Sequence, residues 1–554
     1  MTVLVLGGGI TGLASAYALG KAGIPTLLLE ASDRLGGKVA TETVDGFVID
    51  AGPDSFISYK PAAVELCREL GLGDQLISPQ EPRTVYVRAG GRFAKLPDGM
   101  GLVLPTRMMP FVTTDLFTWP QKLRMGLDLI LPREIVGDDI AVGAFLERRL
   151  GRALVDRLAG PLIGGVYGTA IDELSLDAVV PQLRDAERKH RSLLLASLAD
   201  GRARRRSGRK PGSPFVALRG GIGQLTDALA AAVRAMPSVE IRTGVAARSV
   251  RPSAHGVDVE LADGSREHGD GAIVATSAAA AASILDGEFP TAAGHIRSIP
   301  HGSTAVVTLA YPADQVPDGL TSHGFLVAGS EPLTISAGTL SSRKWSDRAP
   351  AGWLLARAFI GEGRAAATAS DDELRAASIA DFATTLGLRG TPALTRVARY
   401  QHAMPHYTVG HLGRVAAAYA ALAETPQIAL AGGAYRGVGL PDCISQGTAA
   451  AARLAHLLGG GTAAPQVPAA TAVPARTTTT LAALGDGTPA VVETIAAGAA
   501  AELAFEGIGT GSSVEVTARA PLGGPIVVRA GRARIALPRR VAEAITVQRA
   551  DEAD

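Results

Sequence analysis

The apolar run Val3–Leu6 breaks into Gly7-x-Gly9-x-x-Gly12, a helix-forming stretch follows from Gly12 to Lys21, and a second apolar run occupies Thr26–Glu30. Few patterns restrict a chain more tightly. Strand, glycine turn, helix and second strand predict a βαβ unit, because parallel strands need a crossover between them. Gly7 permits the tight turn, Gly9 lets the backbone approach a pyrophosphate, and Gly12 lets helix and strand pack closely. Gly8, Ile10 and Thr11 complete the turn, and the unpaired N–H groups at the helix start present partial positive charge to a phosphate. Glu30 closes the second strand 18 residues past Gly12, where a carboxylate can bond ribose hydroxyls. The pattern predicts a dinucleotide site.

An NAD site needs only that unit. Here the chain runs on into Ala31-Ser32-Asp33-Arg34-Leu35-Gly36-Gly37-Lys38, a second glycine turn carrying a guanidinium, and then into Asp50-Ala51-Gly52-Pro53-Asp54-Ser55. Further backbone approaches suit an extended cofactor such as FAD. Near the carboxyl end, Gly432-Gly433 and Gly437-Val438-Gly439-Leu440 precede a helix of small residues, Gly447 to Ala455, whose amino terminus would stabilise negative charge on a reduced flavin. Val239–Thr276 reads as a meander with a turn at Asp263-Gly264, and Val245 in it is a further cofactor contact; Ile428–Ala431 supplies a third strand.

At 554 residues the chain needs several cores. The net charge of +1 favours neither nucleic acid nor an anionic surface overall, and 47% hydrophobic residues exclude wholesale disorder. Two cysteines, Cys67 and Cys443, exclude a disulfide framework and a cysteine metal cluster. Cys443 reads as a buried thiol or, less simply, as a covalent flavin link. The start of the chain reads as a buried strand and not as a signal segment, and no apolar run is long enough to span a bilayer. The expected location is cytoplasmic, with peripheral membrane contact left open. Arg202–Lys210 holds six bases in nine residues and reads as a solvated, flexible loop or as an entrance for an anionic substrate.

Motifs sharpen this. GGGITGLASAY, RLGGK and AGPDSFIS resemble the amino-terminal motifs of the FAD-dependent amine-oxidase superfamily. Pro161–Thr169 (PLIGGVYGT), Lys189–Leu193 (KHRSL), Met404–His411 (MPHYTVGH) and Gly437–Ile444 (GVGLPDCI) are similar to the oxygen-dependent coproporphyrinogen III and protoporphyrinogen oxidases within it, in order and over residues 1–458. The resemblance implies an enzyme that removes six electrons from a porphyrinogen in three steps. Hydride leaves a meso methylene for the flavin, a pyrrole N–H is lost, and O2 is reduced to hydrogen peroxide each time. It implies coproporphyrinogen as the substrate, with protoporphyrinogen as the alternative. A flavin-binding scaffold without turnover is the reading from a different class.

Lys60 falls at an active-site position by this resemblance, as a propionate anchor or an aid to proton transfer. It is one of eight lysines against 46 arginines, although a surface lysine opening the helix at Pro61 is the plainer reading. Arg83 is a second propionate candidate. His402, His406 and His411 read as structural or pocket-lining, because no acid lies among them and Pro405 breaks helical spacing; no metal site is expected.

Gly459–Arg476 is a Gly/Ala/Pro linker. Beyond it, LAALGDGTPAVVETI, AAELAFEGIGTG, VEVTARAP and GRARIALPRRVAEAITV resemble the FeoA family of small SH3-like barrels. That implies a protein-docking module, for which an iron-handling or haem-pathway partner is the natural candidate. The expected fold is α/β. A discontinuous Rossmann-like FAD domain takes residues 1–80, 213–280 and 405–458, and an α+β substrate domain takes 81–100 and 281–404. A helical domain takes 101–212, the linker 459–476, and the FeoA-like SH3-like β-barrel 477–548.

Overall fold

The computed structural model describes residues 1–459 apart from 101–102, 106, 133–138, 207–212, 362, 364–365 and 367, and residues 478–549 apart from 486–487, 496–511, 520–525, 531–532 and 538. It divides into two compact units, Met1–Gln466 and Val467–Asp554.

The first unit is organised on a five-stranded parallel sheet in the order Val239–Thr243, Thr26–Glu30, Val3–Leu6, Gly271–Val274, Ile428–Leu430. Segments more than two hundred residues apart in sequence are therefore neighbours in space. The inner strands read as nearly unbroken apolar runs because both faces are covered, whereas the edge strand Val239–Thr243 carries Glu240 and Arg242. Val3, Val5, Leu28 and Ile273 face a core shared with helices Ile10–Lys21, Gly223–Arg234 and Leu440–Leu458. Leu4, Leu6, Leu27 and Val274 face a second core, shared with Val250, Val257 and helices Ala278–Leu285 and His411–Ala420.

Several sequence expectations are corrected here. Val239–Thr276 is not one meander: its first and last strands join the parallel sheet, and Ala247–Ser253, Gly256–Leu261 and Arg266–Gly269 form a separate antiparallel sheet. The first helix begins at Ile10, two residues before the expected Gly12, because Gly9 already serves as its N-cap. The carboxyl-proximal helix begins at Leu440 instead of Gly447, with Pro441 in its first turn, where proline lacks only an N–H that has no helical partner. Within Arg202–Lys210, Arg202–Arg206 closes helix Leu193–Arg206 and is no loop; the remainder lies outside the described residues.

A seven-stranded sheet has the order Leu394–Pro405, His301–Pro312, Trp353–Gly361, Ala337–Leu340, Gly324–Val327, Val85–Ala89, Arg92–Lys95. Only the Gly324–Val327 and Val85–Ala89 pair is parallel. Helices between Met108 and Arg206 pack around Phe145, Leu158 and Leu183. Among them, Val155–Gly164 is wound as a π-helix around Pro161, whose missing N–H a wider turn tolerates.

The second unit is an antiparallel sheet in the order Thr478–Thr480, Ile545–Arg549, Pro489–Ile495, Ser513–Arg519, Ile526–Ala530, Ala533–Leu537. Val492, Val516, Val528 and Val547 line its core. Among the described residues no ladder joins its first and last strands. The expected AAELAFEGIGTG segment lies outside the described residues, as does nearly all of the linker.

Candidate functional site: a glycine-lined cradle and its charged wall

Crowding explains the glycines of the first turn. Gly7 has φ +103° and donates its N–H to Leu29 O at 2.8 Å; a Cβ there would lie 2.9 Å from Ala275 O. A Cβ on Gly12 would fall 1.8 Å from Gly7 O. Gly9 is the opposite case: nothing lies within 4 Å of its Cβ direction, so its backbone is bare on that side. It caps helix Ile10–Lys21 with no side-chain bond, leaving the first-turn N–H groups for a ligand. Glu30 accepts from Gly8 N at 2.5 Å and from Ser32 N and Oγ at 2.9 and 2.7 Å, which fixes its carboxylate beside the turn. Val245 N donates to Glu30 O at 2.9 Å, placing Val245 at the same strand end.

The second glycine turn is stacked on the first. Gly36 bridges to Gly9 and donates to Gly8 O at 2.9 Å, and a Cβ on Gly37 would lie 3.2 Å from Gly9 Cα. Ala31 and Arg34 are exposed; the Arg34 guanidinium bonds Leu35 O and Gly37 O. Lys38 donates to Ala403 O, and the protein around it disfavours its charge and lowers its pKa. A Cβ on Gly52 would fall 2.2 Å from Lys38 O, so Gly52, Pro53 and the chain after them continue this wall. From the other side, Gly447 packs so closely on the first helix that a Cβ would meet Thr11 O at 2.3 Å, and Ser15 Oγ donates to Gly447 O at 3.0 Å. Helix Leu440–Leu458, capped by Gly439 with no side-chain bond, thus crosses the first helix near that helix's start, about two turns after its own.

The loop before that helix has its own scaffold, which sequence reading did not find. Tyr407 donates its hydroxyl proton to Gly433 O at 2.8 Å and accepts from Gly437 N at 2.7 Å. His411 stacks on Tyr407 with ring centres 3.8 Å apart. Its Nε2 lies 2.9 Å from Tyr435 O; a carbonyl only accepts, so this nitrogen carries the proton. Burial pushes the His411 pKa down to about 4 and keeps the ring neutral. His406 is buried too, its N–H donating to Pro300 O at 2.8 Å, whereas His402 takes a left-handed φ of +45° on a strand. Of the three, the His411 ring holds backbone in place through that bond. Within the MPHYTVGH motif, the signal for this scaffold is the tyrosine ring, which bridges Gly433 and Gly437.

Lys60 is the N-cap residue of helix Pro61–Glu69, and its Nζ lies 2.6 Å from Asp442 Oδ1, in the first turn of the Leu440 helix. Asp442 also fills the space beside Gly437, where a Cβ would meet its Cγ at 2.5 Å. Arg83 belongs to a different wall: it is exposed, with its guanidinium 5.6 Å from the Phe215 ring centre.

The largest omission of sequence reading is a buried charge cluster behind Gly52. Asp54 takes hydrogen bonds from Lys344 Nζ at 3.0 Å, Trp345 Nε1 at 3.3 Å and Ser55 Oγ at 2.8 Å, with Arg357 Nη1 at 3.7 Å. Burial opposes its charge, but the Lys344 and Arg357 cations outweigh this and hold the carboxyl well below the usual range. Asp50 pairs with Arg348 at 3.4 Å and accepts from Thr41 Oγ1 and Ile222 N at 2.6 and 2.8 Å. Here burial wins and raises the pKa against Arg348 and Arg357. Arg357, 1% exposed, also donates to Gly52 O, and its Nε and Nη1 find no hydrogen-bond partner among the described residues. Lysine scarcity, which drew attention to Lys60, applied equally to Lys344.

Residues 10–455 match the model of the flavin containing amine oxidoreductase family, and residues 479–549 match the FeoA domain. The chain belongs to the flavin-containing amine oxidoreductases. Coproporphyrinogen III oxidase of Propionibacterium freudenreichii is 44% identical over 473 residues, covering 80% of this chain and 88% of that protein. Coproporphyrinogen III oxidase of Bacillus subtilis is 34% identical, covering 81% and 96%. A solved Exiguobacterium structure assigned as a protoporphyrinogen oxidase superposes with a TM-score of 0.71 at 31% identity, over 81% of this chain and 98% of that one.

A flavoenzyme of this family uses FAD, and this cradle fits it: a bare Gly9 backbone, a first-helix start without a side-chain cap, and a fixed carboxylate at Glu30. Both cysteines are buried, which pushes each thiol pKa up to about 11 and leaves little thiolate at neutral pH. No trio of metal-ligating side chains gathers among the described residues.

Proposed function

We propose that this flavoenzyme oxidises coproporphyrinogen III to coproporphyrin III, with three O2 reduced to three H2O2. The observation that carries this reading is the 44% identity to the Propionibacterium coproporphyrinogen III oxidase over 80% of this chain and 88% of that protein. FAD, when bound, supplies a two-electron acceptor that O2 re-oxidises. The protein's part is positional. Gly7, Gly8, Gly9, Ile10, Thr11 and Gly12 receive the pyrophosphate, and Glu30, Ala31 and Val245 border the adenosine end. Arg34, Gly36, Gly37, Lys38 and Gly52–Ser55 flank the middle, and Gly433, Val438, Gly439 and Leu440 close the far end. Lys60, held by Asp442 at 2.6 Å, offers a cation to a substrate propionate, and Arg83 offers a second one.

The domain partition given by the sequence, including the helical domain at 101–212 and an SH3-like barrel at 477–548, is part of the same reading, as is a cytoplasmic location. The FeoA domain then serves to dock an iron-handling or haem-pathway protein, since porphyrin synthesis ends in iron insertion. Protoporphyrinogen is the second substrate reading, favoured by the 31% identity to the Exiguobacterium protein. Aerobic turnover of both porphyrinogens by the yellow, FAD-loaded protein, followed by porphyrin fluorescence, tests the choice. A higher kcat/KM for coproporphyrinogen is expected, and a higher value for protoporphyrinogen reverses it.

A further inference from the structure

Oxidation of a porphyrinogen releases a proton as well as an electron pair in each two-electron step. The meso C–H bond breaks with its pair leaving for the flavin, and positive charge is left on the adjacent pyrrole nitrogen. The N–H bond of that ring then breaks, a C=N bond is completed, and the proton goes to a base. Because the nitrogen is cationic at that moment its proton is acidic, so a carboxylate is base enough.

One carboxylate stands at the far end of the cradle. Asp442 lies in the first turn of helix Leu440–Leu458, against the loop that closes that end. A Cβ on Gly437 would lie 2.5 Å from its Cγ, and one on Gly439 would lie 3.1 Å from its Oδ2. Its Oδ1 is held by Lys60 Nζ at 2.6 Å, while its Oδ2 accepts no hydrogen bond among the described residues. The side chain keeps 19% of its exposure. Asp442 is therefore aimed by one oxygen and open at the other. Tyr59, next to Lys60, is 71% exposed and gives the opening an aromatic rim.

The groups around Asp442 are poor proton acceptors. Tyr167 ends the short helix Gly165–Tyr167, with its ring centre 5.6 Å from that of Tyr407. Burial, then the Asp442 charge and Tyr59, push its pKa up to about 12, so it keeps its proton. Burial raises Tyr407 well above its ordinary value and the Cys443 thiol up to about 11. His411 carries its proton on the nitrogen that faces Tyr435 O, and the ring is wholly buried. The Lys60 ammonium has no lone pair.

We propose that Asp442 is the base that takes the pyrrole proton, with Lys60 as the residue that positions it; this rests on the porphyrinogen reading of the site. The proton forms a carboxylic O–H at Oδ2 and passes from there to water, so Asp442 is free again for the next of the three steps. Before the proton moves, the carboxylate faces the cation that hydride loss creates, which favours that loss. An ammonium has three N–H donors, of which Asp442 Oδ1 takes one, so Lys60 can hold this carboxylate and a substrate propionate together.

The test uses the full-length, FAD-loaded protein. Asp442→Asn keeps the shape and removes the base: kcat for coproporphyrinogen should fall about a hundredfold or more, with KM and flavin content little changed. Anaerobic mixing with coproporphyrinogen should show the same slowing in the bleaching of the flavin. Re-oxidation of the chemically reduced protein by O2 should keep its rate, because that half of the cycle takes no proton from the pyrrole. Asp442→Ala opens space beside the site, and added acetate should restore part of its kcat, which a merely structural role would not allow. Lys60→Met should lower kcat as well as raise KM, and Lys60→Arg should recover both. Unchanged kcat in Asp442→Asn, or no rescue of Asp442→Ala by acetate, overturns the proposal. So does loss of flavin from both Asp442 variants, which would assign the carboxylate to holding the Gly437–Gly439 loop. An unaltered protein that oxidises no porphyrinogen would instead overturn the porphyrinogen reading, and this proposal with it.

Discussion

The two walls of the cofactor cradle are built on different physics. The glycine wall, from Gly7 to Gly37, works by absence: missing Cβ atoms remove collisions, as at Gly12 with Gly7 O, or leave the backbone bare, as at Gly9. The wall behind Gly52 works by presence, with Asp50 and Asp54 held by Lys344, Arg348 and Arg357 from some three hundred residues away. One wall gives the ligand room. The other fixes the Gly52 peptide with charges that are costly to bury unless paired.

Substitutions separate the two. Gly12→Val should have the largest effect, because the added carbon must occupy a point 1.8 Å from Gly7 O; protein purified without the yellow flavin absorbance is the expected outcome. Arg357→Met should come next, costing about 3–5 kcal/mol in denaturant unfolding by leaving Asp54 short of one cation. Adding Asp54→Asn should recover part of that loss. If the double variant is instead additive, the charged wall is not a unit.

The third prediction concerns His411. Its folded pKa of about 4 lies below the ordinary 6.5, so the unfolded chain binds more protons between those values. Stability is then full above about pH 6.5 and falls as pH drops toward 4, by on the order of 3 kcal/mol. His411→Gln should flatten that slope in urea unfolding at several pH values. An unchanged slope would move the titration elsewhere. Asp54, with its lowered pKa, adds a further loss only at more acid pH, as the pH falls below the ordinary carboxylate range.

The smallest change in stability is expected at Lys60. It and Asp442 are 42% and 19% exposed, and such a pair is worth about 1 kcal/mol or less. Lys60→Ala should nevertheless raise KM for coproporphyrinogen about tenfold, with FAD content unchanged and Lys60→Arg restoring most of the loss. Unaltered KM would remove Lys60 from substrate binding.

The same contrast explains how much could be read without coordinates. Gly7, Gly9 and Gly12 were legible because a backbone turn is a local event with a fixed spacing. The parallel sheet was half legible. Its strands announce themselves as apolar runs, but whether Val239–Thr243 pairs with Thr26–Glu30 or with its own sequence neighbours is decided by tertiary packing. Helix starts were misplaced at Gly12 and Gly447 because small residues hide the boundary that Gly9 and Gly439 set as caps. Lys344, Arg348 and Arg357 were invisible, since nothing in a strand or a short helix says that it faces a carboxylate three hundred residues upstream. Tyr407 lies within a recognisable motif, yet its task of bridging Gly433 and Gly437 follows only from the loop's shape.

We infer that this flavoenzyme removes six electrons from coproporphyrinogen III and passes them to O2. Oxygen uptake and porphyrin formation, recorded together in one vessel with the FAD-loaded protein and catalase absent, test it most directly. Three O2 consumed and three H2O2 formed for each coproporphyrin is the result the account requires. Flavin-loaded protein that consumes no oxygen beyond the blank, and forms no porphyrin, would contradict it.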